Sequence, residues 1–258
     1  MNPVIIIAGH AAAGKTTLAR RLASSLRFSF VDLGSVVRQT ALDFLQVTNS
    51  ENVIRQKLAD EVAIDAYLQT LKLVPVVNDN GFLEVEVNGK RLNVEDPKLR
   101  EAFLDDQTLV LARTMRPNLV SLQREATELK PVVFSARNAV AFSEDESIRI
   151  FINPGMTARV RRRARYEGDE YGNLPRVGRR DLISRVVAKE KESIDLKVAL
   201  SRQLIDQESF VVFENDGSIE QNLSRLTELT VELMTEKGWI LQPEKERVLT
   251  ASISSERR

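Results

Sequence analysis

The segment Gly9-His10-Ala11-Ala12-Ala13-Gly14-Lys15-Thr16 constrains this chain more than any other, because it has the G-x4-GK[ST] spacing of a phosphate-binding loop. It follows the apolar run 4–8, which is typical of a buried strand. It precedes a segment in which Leu18, Leu22 and Leu26 share one helical face. The order strand, loop, helix favours a nucleotide-phosphate site over a plain turn rich in glycine and alanine.

The residue types of this loop suit phosphate binding. Glycines let backbone N–H groups point at the β- and γ-phosphates, and the start of a helix adds positive potential. Lys15 supplies a cation for these phosphates, and the Thr16 hydroxyl is able to ligate Mg²⁺. The predicted nucleotide-binding residues are Gly9, His10, Ala11, Ala12, Ala13, Gly14, Lys15, Thr16 and Thr17.

Composition excludes several other classes of protein. The 258 residues are 43% hydrophobic, and 37 basic side chains balance 37 acidic ones, so no net charge favours nucleic acid or membrane surfaces. The absence of cysteine and the single histidine, His10, exclude disulfides, thiolate metal sites and multi-histidine metal sites. No apolar run reaches the roughly 18 residues of a membrane span, and a strand at residue 4 leaves no room for a signal peptide. We therefore expect a cytoplasmic monomer.

The pattern along the chain predicts an α/β fold with a five-stranded parallel sheet flanked by helices. Apolar runs at 4–8, 28–31, 131–135, 148–152 and 210–213 are the expected strands, and helices are expected over 49–72 and 97–129. Between these helices, Val74 to Val94 alternates apolar and polar residues around Asn88-Gly89, which is a strong hairpin signal. This segment predicts a small antiparallel sheet inserted into the α/β core.

A basic segment follows the fourth strand. Residues 156–165 are predicted to be helical and contain five arginines, 167–180 are predicted to form an exposed loop, and helix is expected again near Asp181. The final twenty or so residues are polar and are expected to form a mobile tail.

Several landmarks occur in the order found in one enzyme family. Val31-Asp32-Leu33-Gly34-Ser35-Val36-Val37-Arg38 is similar to the family's Leu-Asp-Ser-Gly-x-x-Tyr-Arg, and Arg116 with Gln123-Arg124 is similar to its Val-Arg…Gln-Arg helix. Ser135-Ala136-Arg137-Asn138 stands where the family has Asp-Gly-Arg-Asp, and Lys191-Glu192-Ser193-Ile194-Asp195 where it has Arg-Asp-x-x-Asp. From about residue 3 to residue 230 the chain resembles the bacterial cytidylate kinases, which are P-loop nucleoside-monophosphate kinases.

The resemblance implies one P-loop kinase domain over 1–236 that transfers the γ-phosphoryl group of ATP to CMP or dCMP with Mg²⁺. Its core comprises 1–70 and 116–236, with a monophosphate-binding insert at about 71–115 and an arginine-rich lid at about 159–182. Residues 237–258 are the tail. The implied partners are ATP and a nucleoside monophosphate, with neither nucleic acid nor membrane.

The resemblance also implies roles for individual residues. Lys15, Asp32, Arg159 and Arg163 are catalytic candidates, and Thr16 and Asp32 are candidate metal ligands. The acceptor candidates are Arg38, Arg116, Arg137, Asn138, Lys191 and Asp195, the last on the sugar hydroxyl. The arginines suit the acceptor, because a dianionic phosphate needs guanidinium forks. Asp32 suits Mg²⁺, because this ion keeps part of its water shell and needs few protein ligands. No general base is required, since the acceptor phosphate is ionised at neutral pH.

The chain departs from the family pattern mainly on the acceptor side. Ala12 replaces a loop glycine, Leu33 a serine, Val37 a tyrosine, Asn138 an aspartate and Lys191 an arginine, and Val198 stands where an arginine is expected. These changes leave two alternatives open. One is a P-loop kinase with another acceptor, such as UMP or another small molecule, and the other is a nucleotide-binding regulatory protein with weak turnover. Nucleic-acid binding is the weakest alternative, because acidic residues balance the basic lid.

Overall fold

The protein is described here from a computed structural model. It describes residues 2–9, 12–46, 61–92, 111, 113–136, 141–166, 175, 178–184, 186 and 210–240, without the side chains of 45, 46, 61, 163, 165 and 166. None of the helices in these ranges is both long and apolar enough to cross a membrane.

The described residues contain eight strands and six main helices. The strands are β1 (Val4–Gly9), β2 (Ser29–Asp32), β3 (Leu73–Val77), β4 (Leu83–Val87), β5 (Lys90–Arg91), β6 (Val132–Ser135), β7 (Ile148–Ile152) and β8 (Val211–Phe213). The helices are α1 (Lys15–Leu26), α2 (Leu33–Gln46), α3 (Glu61–Thr70), α4 (Arg116–Leu129), α5 (Met156–Tyr166) and α6 (Ile219–Glu236).

Five strands form the main sheet in the order β2-β6-β1-β7-β8, and the pairs β2–β6, β1–β7 and β7–β8 are parallel. The strands β1 and β6 are buried along their whole length, as expected for a parallel sheet with both faces covered. The predicted fold class is therefore confirmed.

The inserted sheet is confirmed as well. Strands β3, β4 and β5 form a separate antiparallel sheet in that order, and Asn88-Gly89 lies between β4 and β5 with positive φ at both residues. Asparagine and glycine tolerate this left-handed conformation better than other residues, which explains the turn. The third strand comprises Lys90 and Arg91, and the Leu92 amide donates to the Val85 carbonyl at 2.8 Å, while the rest of its predicted extent, residues 93–94, lies outside the described ranges.

Two predicted boundaries differ from the structure. Of the helix expected over 49–72, residues 61–70 are helical, Leu71 and Lys72 lie between α3 and β3, and residues 49–60 lie outside the described ranges. The loop expected to extend to Arg180 ends earlier, because residues 178–184 are helical. Of the helix expected over 97–129, residue 111 and residues 113–114 are helical and α4 ends at Leu129 as expected, while residues 97–110 lie outside the described ranges.

The chain divides into two compact units, one of Met1–Val4 with Phe28–Ser143 (unit I) and one of Ile5–Arg27 with Glu144–Arg258 (unit II). Unit I holds β2, the inserted sheet and β6 with helices α2, α3 and α4. Unit II holds nearly all of β1, the strands β7 and β8, and helices α1, α5 and α6. The predicted division into core, insert, lid and tail stays a prediction.

A polar network in unit I ties the hairpin turn to two helices. The Asp43 carboxylate on α2 accepts hydrogen bonds from the Asn88 amide at 2.6 Å, the Tyr67 hydroxyl at 3.2 Å and Lys90 Nζ at 3.1 Å. Burial alone would raise the pKa of Asp43, but these hydrogen bonds and the Lys90 charge lower it. Burial and the neighbouring Asp43 charge raise the pKa of Tyr67, which stays a neutral donor.

Candidate phosphoryl-transfer site

The phosphate loop of unit II is built on an unusual backbone. Gly9 has φ 147°, and a Cβ there would collide with the carbonyl oxygen of Ile152, its partner in the β1–β7 register. Gly14 has φ 84° and caps the start of α1. Ala12 lies in the left-handed region at φ 60°, where a side chain is strained. Ala12 replaces a glycine of the family pattern and keeps a backbone conformation that glycine adopts readily.

Two side chains from later in the chain hold the peptide between Ala13 and Gly14 in this loop. The carbonyl oxygen of Ala13 accepts hydrogen bonds from Arg162 Nη1 at 2.9 Å and from Asn215 Nδ2 at 2.7 Å. Arg162 Nη2 donates to the Asn215 carbonyl at 2.6 Å, which closes a triangle. A Cβ on Gly14 would lie 3.0 Å from Asn215 Nδ2, so glycine is needed there for space as well as for φ. These contacts position the peptide between Ala13 and Gly14, one residue before Lys15.

The Arg162 side chain is held in a partly desolvated setting. Burial lowers its pKa, and the Asp216 charge opposes that shift. A guanidinium still keeps its proton in a protein. Asp216 also accepts a hydrogen bond from the Gly155 amide at 2.7 Å, which orders the start of α5. The loop is thus braced by a cation that is itself placed by α5 and by the residues after β8.

Lys15 and Thr16 form the start of α1, as the motif predicts. Lys15 is only 9% exposed and Thr16 is half-buried, while Thr17 is exposed. The first turn of α1 contains no acidic residue, so no carboxylate there offsets the positive end of the helix. This arrangement is suited to binding an anion.

Of the predicted lid pair, only Arg159 has a described side chain. Arg159 lies on α5 and is 3% exposed, with its amide donating to the Gly155 carbonyl at 3.2 Å. The Arg163 side chain lies outside the described residues. The catalytic role assigned to both arginines stays a prediction.

Sequence reasoning missed Arg162 and Asn215, which contact the loop directly. Asn215 follows β8, and the carboxyl ends of parallel strands are where ligands bind in open α/β sheets. That position could have marked Asn215 as a candidate. Arg162 stands among several arginines on α5, and nothing in the sequence distinguishes it from its neighbours.

In unit I, Asp32, Ser35 and Arg38 form a compact cluster at the end of β2 and on the first turns of α2. Ser35 Oγ donates to Asp32 Oδ2 at 2.6 Å and accepts from Arg38 Nη2 at 2.6 Å. The direct contact between Arg38 Nη2 and Asp32 Oδ2 is longer, at 3.3 Å. Two predicted site residues, Asp32 and Arg38, therefore lie together, and Ser35 joins them.

Arg116 is the first residue of α4 and is half-buried. Nearby in sequence, Arg124 donates to the Ala141 carbonyl and lies over the Phe142 ring, 4.5 Å from its centroid. Of the other predicted site residues, His10, Ala11, Arg137, Asn138, Lys191 and Asp195 lie outside the described ranges.

The oxygen groups of the predicted metal ligands suit Mg²⁺. Among the described residues Asp32 Oδ2 is engaged by Ser35 and Arg38, while Oδ1 accepts no hydrogen bond. The described residues hold no cluster of three or more histidine, cysteine or acidic side chains that could bind a metal. Mg²⁺ in phosphoryl-transfer sites is commonly held by one or two protein oxygens with water and substrate phosphates, so Asp32 and Thr16 have suitable chemistry.

The comparison with known proteins decides the family. The family model described as cytidylate kinase matches residues 5–230. The chain belongs to the cytidylate kinase family. A cytidylate kinase of Thermotoga sp. (strain RQ2) is 30% identical over 89% of this chain and 97% of that protein. The cytidylate kinase of Caldanaerobacter subterraneus subsp. tengcongensis is 26% identical over 87% of this chain and 92% of its own length.

Among solved structures, TT1252 from Thermus thermophilus is 19% identical, with a TM-score of 0.44 over 91% of this chain and 99% of that one. Family membership makes the chain a nucleoside-monophosphate kinase-like phosphotransferase, for which ATP and a nucleoside monophosphate are the implied substrates. The resemblance drawn from the ordered motifs is thus confirmed.

Proposed function

We propose that this chain transfers the γ-phosphoryl group of ATP to CMP or dCMP, with Mg²⁺, and releases ADP and the cytidine diphosphate. The observation that carries the proposal is the intact phosphate loop at the start of α1 in a chain of the cytidylate kinase family. The acceptor and the metal are the parts that the proposal adds to family membership.

The donor half rests on unit II. The loop is braced at the Ala13 carbonyl by Arg162 and Asn215, two residues before Lys15. A fixed loop of this kind offers N–H groups to phosphate oxygens without reorganisation. Lys15 would accompany the migrating phosphoryl group and balance its charge.

The acceptor half rests on unit I. Arg38 presents a guanidinium fork suited to a phosphate dianion, and it is held by Ser35 and Asp32. In the reaction an ionised oxygen of the acceptor phosphate attacks the γ-phosphorus, and the bond from that phosphorus to the β,γ-bridging oxygen breaks. The bridging oxygen leaves with the electron pair as part of ADP. No proton needs to be removed, because the acceptor oxygen is already ionised near pH 7. Mg²⁺ would neutralise charge on the donor phosphates, with Thr16 and Asp32 as its protein ligands.

A coupled assay of ADP formation tests this proposal. Purified protein is given ATP and Mg²⁺ with CMP, dCMP, UMP, AMP or GMP in parallel, and the fastest turnover is expected with CMP or dCMP. Fast turnover of UMP with no turnover of CMP would show that UMP, and not CMP, is the acceptor. Tight ATP binding without product from any acceptor would favour a regulatory protein.

Matched lysine variants connect the turnover to the loop. Lys15→Met is expected to lower kcat about 100- to 1,000-fold, the usual loss when one preorganised charge-stabilising group is removed. Lys72→Met serves as the control, because Lys72 is exposed and lies outside the site in the link between α3 and β3. Equal activity of both variants would show that a contaminating kinase produces the ADP.

A further inference from the structure

The side chain of Ser35 occupies a central place in the cluster with Asp32 and Arg38. It is fully buried, and its hydroxyl makes two bonds of 2.6 Å, one donated to Asp32 and one accepted from Arg38. The three residues follow one another at intervals of three, which places them on one side of the turn that opens α2. The stronger link between carboxylate and guanidinium therefore runs through the hydroxyl, since the direct contact is 3.3 Å.

Ser35 holds the guanidinium of Arg38 by one nitrogen only. Both bonds of Arg38 to this cluster use Nη2. Nε is buried and has no hydrogen-bond partner among the described residues, and Nη1 makes no hydrogen bond to them. A buried donor without an acceptor is costly, so such donors in a folded protein point to a ligand or water that supplies the acceptor.

The residues around Arg38 also leave room for a ligand at its guanidinium. A Cβ on Gly34 would lie 3.3 Å from Arg38 Nη1, so glycine leaves room beside the unused part of the guanidinium. The family motif has a hydroxyl at the position of Leu33, but Leu33 is 2% exposed and belongs to the apolar core. This chain instead carries its hydroxyl two residues later, at Ser35.

We propose that Ser35 is a positioning residue for the acceptor. Its hydroxyl fixes Arg38 through Nη2 so that Nε and Nη1 are presented to the acceptor phosphate. This inference rests on the proposed kinase function and names a residue that acts on the acceptor through Arg38.

Substitution of Ser35 tests the inference through a split between KM and kcat. Ser35→Ala is expected to raise KM for the preferred nucleoside monophosphate about tenfold, the size of one hydrogen bond to a charged group, while KM for ATP and kcat change less than about twofold. Ser35→Cys, which keeps the side-chain size but is a poor acceptor, is expected to raise the same KM, and Ser35→Thr to restore it.

Thr40→Val is the matched control. Thr40 lies on α2, is fully buried, and its Oγ1 has no hydrogen-bond partner among the described residues. Removing this hydroxyl is therefore expected to leave KM for the acceptor unchanged. If Thr40→Val raised it as much as Ser35→Ala does, the effect would belong to α2 in general and the inference would be wrong.

A double-mutant cycle separates positioning from general damage. Once Arg38→Ala is present, Ser35→Ala is expected to change the acceptor KM no further, because the two residues act as one unit. Additive effects, or an unchanged KM in both Ser35→Ala and Ser35→Cys, would overturn the inference while turnover by the wild-type chain upholds the proposed function. If the wild-type chain neither turns over nor binds any nucleoside monophosphate in titration calorimetry, the proposed function fails, and the inference with it.

Discussion

The phosphate loop of unit II and the cluster of Asp32, Ser35 and Arg38 in unit I are held in different ways. In the loop, a guanidinium and an amide both donate to one backbone carbonyl, that of Ala13. In the cluster, three side chains bond to one another. A hydrogen bond to a backbone carbonyl forms whatever side chain that residue carries. A network of side-chain hydrogen bonds, in contrast, requires each of its residues.

This difference explains how substitution is distributed along the chain. The loop keeps its conformation although Ala12 stands in place of glycine, because the strain is local and its neighbours hold the backbone. In the other unit, Leu33 has left the polar set and become core, and Ser35 supplies the hydroxyl. The loop thus accommodates a substitution through local backbone strain, whereas the cluster has its hydroxyl on a different residue.

The largest expected effect comes from breaking the brace of the loop. Arg162→Ala removes both charge-assisted bonds and is expected to lower the free energy of unfolding by about 3 kcal/mol and to raise KM for ATP. Arg161→Ala is the control, because Arg161 is the exposed neighbour on α5. Chemical denaturation and ATP kinetics of both variants measure this, and equal stability of the two variants would contradict the role of the brace.

A smaller effect is expected from the side-chain network that holds the hairpin. Asp43→Asn removes the charge that accepts from Asn88, Tyr67 and Lys90, and is expected to cost about 1–2 kcal/mol at pH 7. The folded-state pKa of Asp43 is lowered from 3.8, so its contribution is present above about pH 4 and disappears as the pH falls through the lower folded value.

The measurement compares urea midpoints of wild type and Asp43→Asn between pH 7 and pH 3, with Asp65→Asn as the control. Asp65 is exposed on the neighbouring helix α3. The difference between wild type and Asp43→Asn should shrink below pH 4. If the difference in urea midpoint stays constant down to pH 3, the charge of Asp43 does not stabilise the network.

The smallest expected effect is an increase in the stability of the folded protein. Ala12→Gly removes the strain of a left-handed conformation, which is about 1–2 kcal/mol for an ordinary residue. Part of this stabilisation is lost, because glycine increases the conformational entropy of the unfolded chain. A net stabilisation of about 0.5–1 kcal/mol is expected by thermal unfolding. Ala23→Gly, inside α1, is the opposite control and should destabilise the protein. If Ala12→Gly is destabilising too, the loop is not strained at this residue.

Short-range patterns made the loop, the five sheet strands and the hairpin predictable. Each depends on residues within about ten positions, such as Asn88-Gly89 or the G-x4-GK[ST] spacing. The brace was not predictable in the same way, because Arg162 and Asn215 reach Ala13 across 149 and 202 positions. Ser35 was missed for another reason: it occupies a variable position of the family motif, and only the geometry shows its two bonds.

Chemical ageing at the Asn88-Gly89 turn would act on the polar network of the inserted sheet. Asparagine followed by glycine is prone to lose ammonia, because the next N–H meets little steric hindrance when it attacks the side-chain carbonyl. In the folded protein that carbonyl accepts from the Lys72 amide, and the side-chain nitrogen donates to Asp43 and Tyr67. Conversion of Asn88 to aspartate would replace a donor 2.6 Å from Asp43 with a second negative charge. The loss of one ammonia would therefore place two negative charges side by side in the network that holds this turn.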